Sequence, residues 1–216
     1  MNIRIAIVLL IFFYKTSYSQ VEEWNTYDFD SIVAIDMPFE VYEIDSIIDN
    51  RRNYQIYSEN DSSKFIAQKL YLGKVYSNVE SVPLPYDNNS LEKYYSDIIW
   101  MFTEGFKYDL NHTKPINKFN LKGYKLTFND SNGLPVHETS FFIANKNFYS
   151  FSYINTNGLN EIERKKFFDS IIFDSEIELK QYYEKTSFIN KKTMLILLSV
   201  LLLSFLLRVK SKTKSN

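Results

Sequence analysis

The chain contains no cysteine. That one absence removes disulfides, thiol nucleophiles, Cys-containing zinc sites and redox dithiols. A hydrophobic core must hold the fold together instead. Glycine and proline are scarce, at 5 residues each in 216, so there is neither a glycine-rich phosphate loop nor a proline-rich linker. Histidine occurs only as His112 and His137. No His-Glu-x-x-His run accompanies them, and there is no Gly-x-Ser-x-Gly nucleophile elbow. Both histidines read as surface residues, His112 in a polar loop and His137 near a strand start, with no carboxylate at a ligand spacing. Asp28 and Asp30 share a face if their stretch is extended, but the Gly and later Glu of a calcium loop are missing. No residue is nominated as catalytic, cofactor-binding or metal-ligating, and no cofactor is expected.

Aromatic residues are abundant. The chain carries 17 Tyr and 18 Phe, which is a core-forming composition rather than a disordered one. The formal net charge of -1 hides an asymmetry. All 26 acidic residues lie between Glu22 and Glu184, while Arg4 and Lys15 precede them and six basic residues from Lys191 onward follow. The part between therefore holds 17 basic residues against 26 acidic ones, a balance of -9. An acidic domain is a poor ligand for nucleic acid, so no nucleic-acid partner is expected. The longest basic run, Arg164-Lys165-Lys166, reads as a solvated helix face. Asn60, Asn88, Asn111 and Asn129 stand in Asn-x-Ser/Thr sequons, which an Asn-rich chain produces by chance.

The two ends read as membrane signals. Arg4 followed by the apolar run Ile5 to Tyr14, with Ser17 and Ser19 at the -3 and -1 positions, predicts a signal peptide over 1–19. Met194 to Leu207 has no charge and no polar stripe beyond Ser199 and Ser204. Extended by its flanks it predicts a transmembrane helix over 193–209, near the lower limit of about 17 residues for a span. Lys192 and Arg208 can snorkel to the headgroups. The basic tail 210–216 then stays on the cytoplasmic side. Residues 20–187 form the exported domain, extracytoplasmic or periplasmic, and membrane lipid is a partner through the C-terminal helix.

Within the domain, strands are expected at Ser31–Asp36, ended by Pro38, and at Val41–Ile48, Tyr54–Tyr57 and Phe65–Leu72, with a turn at Asn60–Ser63. Leu91, Tyr94, Tyr95, Ile98, Ile99, Phe102 and Phe106 follow the 3.6-residue period of a helix, capped by Asn89 with Glu92. A three-strand meander follows. It aligns Tyr124, Leu126 and Phe128, then Thr139, Phe141 and Ile143, then Tyr149, Phe151 and Tyr153. The last trio reads as core. Turns are expected at Asn132-Gly133 and Asn145–Asn147. Asn160 with Glu163 starts a second helix running through Phe167, Phe168 and Ile171, and Glu176–Glu184 reads as a third. The sum is an α+β fold, an antiparallel sheet with packed helices, plus one C-terminal transmembrane helix.

Four segments resemble the PsbP/Mog1-type α/β sandwich group. They are Ile-Asp-Met-Pro at Ile35–Pro38, Gly-Tyr-Lys-Leu at Gly123–Leu126, Phe-Tyr-Ser-Phe-Ser-Tyr at Phe148–Tyr153 and Lys-Phe-Phe-Asp-Ser-Ile at Lys166–Ile171. The resemblance covers roughly Ser31 to Asp174. It implies a non-enzymatic module that binds another protein, and it transfers no functional residue. The expected function is therefore a membrane-tethered, non-catalytic binding module that docks a protein partner outside the cytoplasmic membrane. Two alternatives stand beside it: a small-ligand or lipid-binding domain with a pocket between sheet and helix, and an enzyme without a recognisable motif.

Overall fold

The structure is a computed structural model that describes residues 23–48, 50–73, 84–105 and 107–184. The expected leader 1–19, the span 193–209 and the tail 210–216 lie outside the described residues. Among the described residues, no helix is long and apolar enough to cross a membrane.

The described residues form ten strands and two helices in the order β1 (Trp24–Asp28), β2 (Val33–Pro38), β3 (Val41–Ile48), β4 (Arg51–Glu59), β5 (Ser63–Tyr71), α1 (Asn88–Gly105), β6 (Asp109–Lys118), β7 (Leu121–Asn129), β8 (Pro135–Ala144), β9 (Asn147–Asn155), α2 (Glu161–Asp169) and β10 (Ile172–Phe173). The strands make a seven-stranded sheet of order β3-β4-β5-β9-β8-β7-β6 and a three-stranded sheet of order β1-β2-β10. Every pairing is antiparallel. The α+β expectation is thus corrected to a mostly antiparallel β fold of two sheets.

The excess of strand has identifiable causes. The expected helix at Glu176–Glu184 is not helical: its chain is a strap lying across the rim of the large sheet. Leu179, Tyr182 and Tyr183 keep a helical spacing, but the backbone is tied elsewhere. Asn145 N–H donates to the Lys180 carbonyl at 2.9 Å, Lys180 N–H donates to Asn145 Oδ1 at 2.8 Å, and Tyr183 N–H donates to the Pro85 carbonyl at 2.8 Å. The strap's Gln181 is buried, its Nε2 donating to the Lys122 carbonyl at 2.8 Å and its Oε1 accepting from Lys122 N–H at 3.1 Å. The segment holding His112, expected as a loop, is β6, a strand with almost no apolar pattern because it is an edge and mostly exposed. β1 and β10 are also additional strands.

Two apolar layers lie on the two faces of the large sheet. One is filled by Phe65 and Ala67 of β5, Phe142 of β8 and Tyr149, Phe151 and Tyr153 of β9, covered by Ile35 and Met37 of β2 and Phe167 of α2. The other is filled by Leu126, Phe128, Phe141, Ile143 and Phe148 under Leu91, Tyr94, Tyr95, Ile98 and Met101 of α1. β8 and β9 are covered on both faces, so they read as almost continuous apolar runs. The trio Tyr149, Phe151 and Tyr153 is core, fully buried.

Caps and turns are local and mostly follow the sequence. Asn160 caps α2, accepting from Ile162 N–H at 3.0 Å and Glu163 N–H at 3.3 Å. In α1 the cap is two residues earlier than expected. Asp87 Oδ1 accepts from Ser90 N–H at 2.7 Å and Ser90 Oγ accepts from Asp87 N–H at 2.9 Å, a reciprocal box that displaces Asn89. β8 and β9 are joined by Asn145 and Lys146, both left-handed at φ 49° and 62°. That is the type I′ geometry, which favours Asn-Gly. Lys146→Gly is expected to raise stability by about 1 kcal/mol by removing the Cβ strain, read as a higher urea midpoint with unchanged slope. Gly123 in β7 has the opposite character. A Cβ there would lie 2.4 Å from the Phe141 carbonyl oxygen and 2.6 Å from the Phe142 ring. Gly123→Ala should therefore cost about 1–3 kcal/mol by overpacking, again read by urea denaturation.

Candidate functional site

The ionisable groups of the interior are engaged in holding the fold. Asp30 does not pair with Asp28, which is exposed at the end of β1. Instead Asp30 turns inward. Its Oδ1 accepts from the Ile32 and Val33 amides at 2.7 and 2.8 Å, and its Oδ2 accepts from Lys69 Nζ and the Tyr149 hydroxyl, each at 2.9 Å. Burial and the Asp30 charge push the Tyr149 hydroxyl well up. Glu138 is 2% exposed and gives one oxygen to Lys125 at 2.8 Å and the other to Arg164 at 2.7 Å. Glu163 Oε2 accepts from the Tyr153 hydroxyl at 2.6 Å and from Ser63 Oγ at 3.2 Å. Each carboxylate has its lone pairs committed to cations, amides or hydroxyls, which is a structural arrangement rather than that of a poised base. No group of three or more His, Asp or Glu among the described residues is placed to hold a metal ion.

The basic run on α2 is likewise distributed. Arg164 pairs with Glu138 and Glu161, Lys165 pairs with Asp169, and Lys166 Nζ sits 4.7 Å from the Trp24 ring centroid. His112 is exposed on β6. His137 corrects the surface reading: it is fully buried on β8, stacked on Phe128 at 5.0 Å and edge-on to Tyr108 at 6.5 Å. Desolvation lowers its pKa to about 3. Between α1 and the sheet, one place where the ligand-binding alternative would put a pocket, the space is occupied by rings. Tyr95 lies 5.4 Å from Tyr124 and 5.6 Å from Phe141, and Phe102 lies 5.9 Å from Phe141. The Tyr95 hydroxyl donates to the Lys122 carbonyl at 2.7 Å and accepts from Ile143 N–H at 3.1 Å.

What the fold leaves open is an edge. Among the described residues the large sheet ends on β3 and on β6, and a free edge is a row of unpaired amides and carbonyls that invites another strand. β6 carries the features that discourage pairing: a register shift between Leu110 and His112, Pro115 without an N–H, and Lys114 and Lys118. β3 carries neither bulge, proline nor lysine, and its edge charges are the carboxylates of Glu43 and Asp45. It pairs with β4 in unbroken register from Val41↔Ser58 to Ile48↔Arg51, with no proline, lysine or arginine in its 8 residues. The edges of the small sheet are short, 5 residues in β1 and 2 in β10.

β3 is also chemically two-sided. Tyr42, Ile44 and Ser46 point to one face, and Glu43, Asp45 and Ile47 to the other. Tyr42 is 44% exposed and stacks on Tyr57 of β4 at 5.4 Å, while Ile47 is 53% exposed. Asp45 is paired with Arg52 at 2.6 Å, whose hydrogen bonds hold its carboxyl below the usual range. Glu43 accepts from the Tyr54 hydroxyl at 3.0 Å, and Glu40 accepts from the Tyr42 hydroxyl at 2.9 Å. Burial and then the Glu43 bond push Tyr54 up to about 12, and the bond to Glu40 raises Tyr42. The carboxylates of Glu40 and Glu43 thus face neutral hydroxyls, and no ion pair among the described residues cancels their charge. The sequence identified β3 as a strand over its full length. Its position at an edge depends on strand order, which no local pattern encodes.

No family model, curated protein or solved structure matches the chain, so what the PsbP/Mog1 resemblance implies has no relative to test it.

Proposed function

We propose that the protein is a membrane-tethered, non-catalytic module that docks a protein partner outside the cytoplasmic membrane. The observation that supports the docking role is the regular β3 edge, without bulge, proline or lysine, set against the β6 edge of the same sheet, which has all three. Native proteins commonly blunt exposed sheet edges with such devices. The tether rests on the sequence: an apolar run from Met194 to Leu207 between Lys192 and Arg208, and a leader over 1–19. The acidic balance of the intervening domain agrees with a protein partner rather than nucleic acid or an anionic headgroup layer. The PsbP/Mog1 resemblance implies the same class of role.

Two experiments test the two halves. In intact cells, a tag after Asn216 should resist external protease while the Asn60–Ser63 turn, opened by an inserted cleavage site at Asp61, should be cut. The reverse pattern overturns the topology. Crosslinking in the same cells should recover a reproducible protein partner, and a chain that crosslinks to nothing overturns the docking role.

A further inference from the structure

Resting on that docking reading, we propose that the partner segment is an extended peptide alternating apolar and basic residues, added as a new strand along β3. Strand addition supplies affinity through main-chain hydrogen bonds and specificity through side chains at alternate positions. On one face the incoming residues meet Tyr42 and Ile44, and the Tyr42–Tyr57 stack extends that surface onto β4. Apolar side chains match this face. On the other face they meet Glu43, whose carboxylate accepts only from a neutral hydroxyl, and Asp45, which shares Arg52. Cross-strand pairs of opposite charge stabilise and like charges directly opposite destabilise, so Lys or Arg is matched here.

The same carboxylates argue against a second copy of this chain as the occupant. In the register centred on Ile44, a two-fold pairing of β3 on itself sets Glu43 of each copy opposite Asp45 of the other, carboxylate against carboxylate with Arg52 already committed to Asp45. An acidic or purely apolar strand gains nothing from Glu43. β6, with its register shift, Pro115 and two lysines, offers such a basic strand no equivalent seat.

The test uses the full chain in detergent micelles and a labelled synthetic peptide of the length of β3, 8 residues, alternating Val with Lys. Controls replace every Lys by Glu, or keep the composition with Val and Lys in separate blocks. Anisotropy should show binding of the alternating Val/Lys peptide that weakens with salt, and hydrogen exchange should show protection confined to β3. The double variant Glu43→Lys/Asp45→Lys should bind that peptide at least about tenfold more weakly and prefer the Glu version. The neutral variant Glu43→Gln/Asp45→Asn, checked for an unchanged melting temperature, should lie between. Equal binding of the block peptide, protection at β6 instead of β3, or β3 protection that depends on protein concentration alone each overturns the proposal. In cells, a crosslinked partner that survives the charge-reversed variant overturns the strand-addition proposal while leaving the docking role intact. Loss of every partner from the native chain overturns both.

Discussion

Phe65→Ala is expected to cost about 3–5 kcal/mol, the range for truncating a fully buried aromatic ring. Phe65 is 0% exposed at a crossing of four other rings: Tyr153 at 4.9 Å, Trp24 at 5.3 Å, Phe167 at 5.4 Å and Phe39 at 6.3 Å. Those rings come from the loop after β2, from β1, from α2 and from β9, so none of them is free to collapse into the space left behind. Each is held by its own element. Against a total stability of about 5–15 kcal/mol for a domain, such a loss takes a marginal fold close to its limit. Urea denaturation of the purified domain checks the value, and a loss below about 1 kcal/mol would mean that the rings do relax inward.

The second large effect is on acid stability. His137 has its pKa lowered from 6.5 to about 3 by desolvation. In the unfolded chain the imidazole takes up its proton near pH 6.5, while in the folded chain it stays neutral until the pH nears 3. The unfolded state therefore binds more protons throughout this window, and folding stability falls as the pH falls. The slope is half of about 1.4 kcal/mol per pH unit at pH 6.5 and approaches the full value below it, so lowering the pH from 6.5 to 4.5 should remove about 2.3 kcal/mol. Carboxylates add their own acid dependence, but they are common to a variant. The comparison of interest is native protein against His137→Leu, each unfolded in urea at several pH values. The variant should lose less stability per pH unit across this window, whatever its absolute stability. Parallel curves would show that the imidazole is protonated inside the fold.

These two residues mark what was legible in the sequence and what was not. Phe65 belongs to a strand legible from its local apolar content, and the faces of β7, β8 and β9 were readable from the period-two alignment of Tyr124, Leu126, Phe128, Phe141 and Tyr149. The α2 cap was readable because Asn160 and Glu163 satisfy neighbouring amides. His137 was misjudged because its neighbours Phe128 and Tyr108 are brought to it by strand order and loop packing. β6 was missed because an exposed edge strand has no apolar face to announce it. The expected third helix failed for a different reason. The competing partners of Glu176–Glu184 are Asn145, Lys122 and Pro85, all distant in sequence, and propensity yields to such tertiary bonds. The candidate docking strand was half legible. Its extent followed from Val41–Ile48, but its freedom on one side is a property of the assembled sheet.

The strap that replaced that helix also decides how the molecule answers a pulling force. A tension applied at Glu184 meets the Tyr183–Pro85 bond first, then Gln181, held to the Lys122 and Ile143 carbonyls and the Tyr95 hydroxyl, and then the Lys180–Asn145 pair. Peeled from that end, these bonds carry the load in that order, so a pull at Glu184 is met by the strap's own hydrogen bonds before it reaches the ladder between β8 and β9.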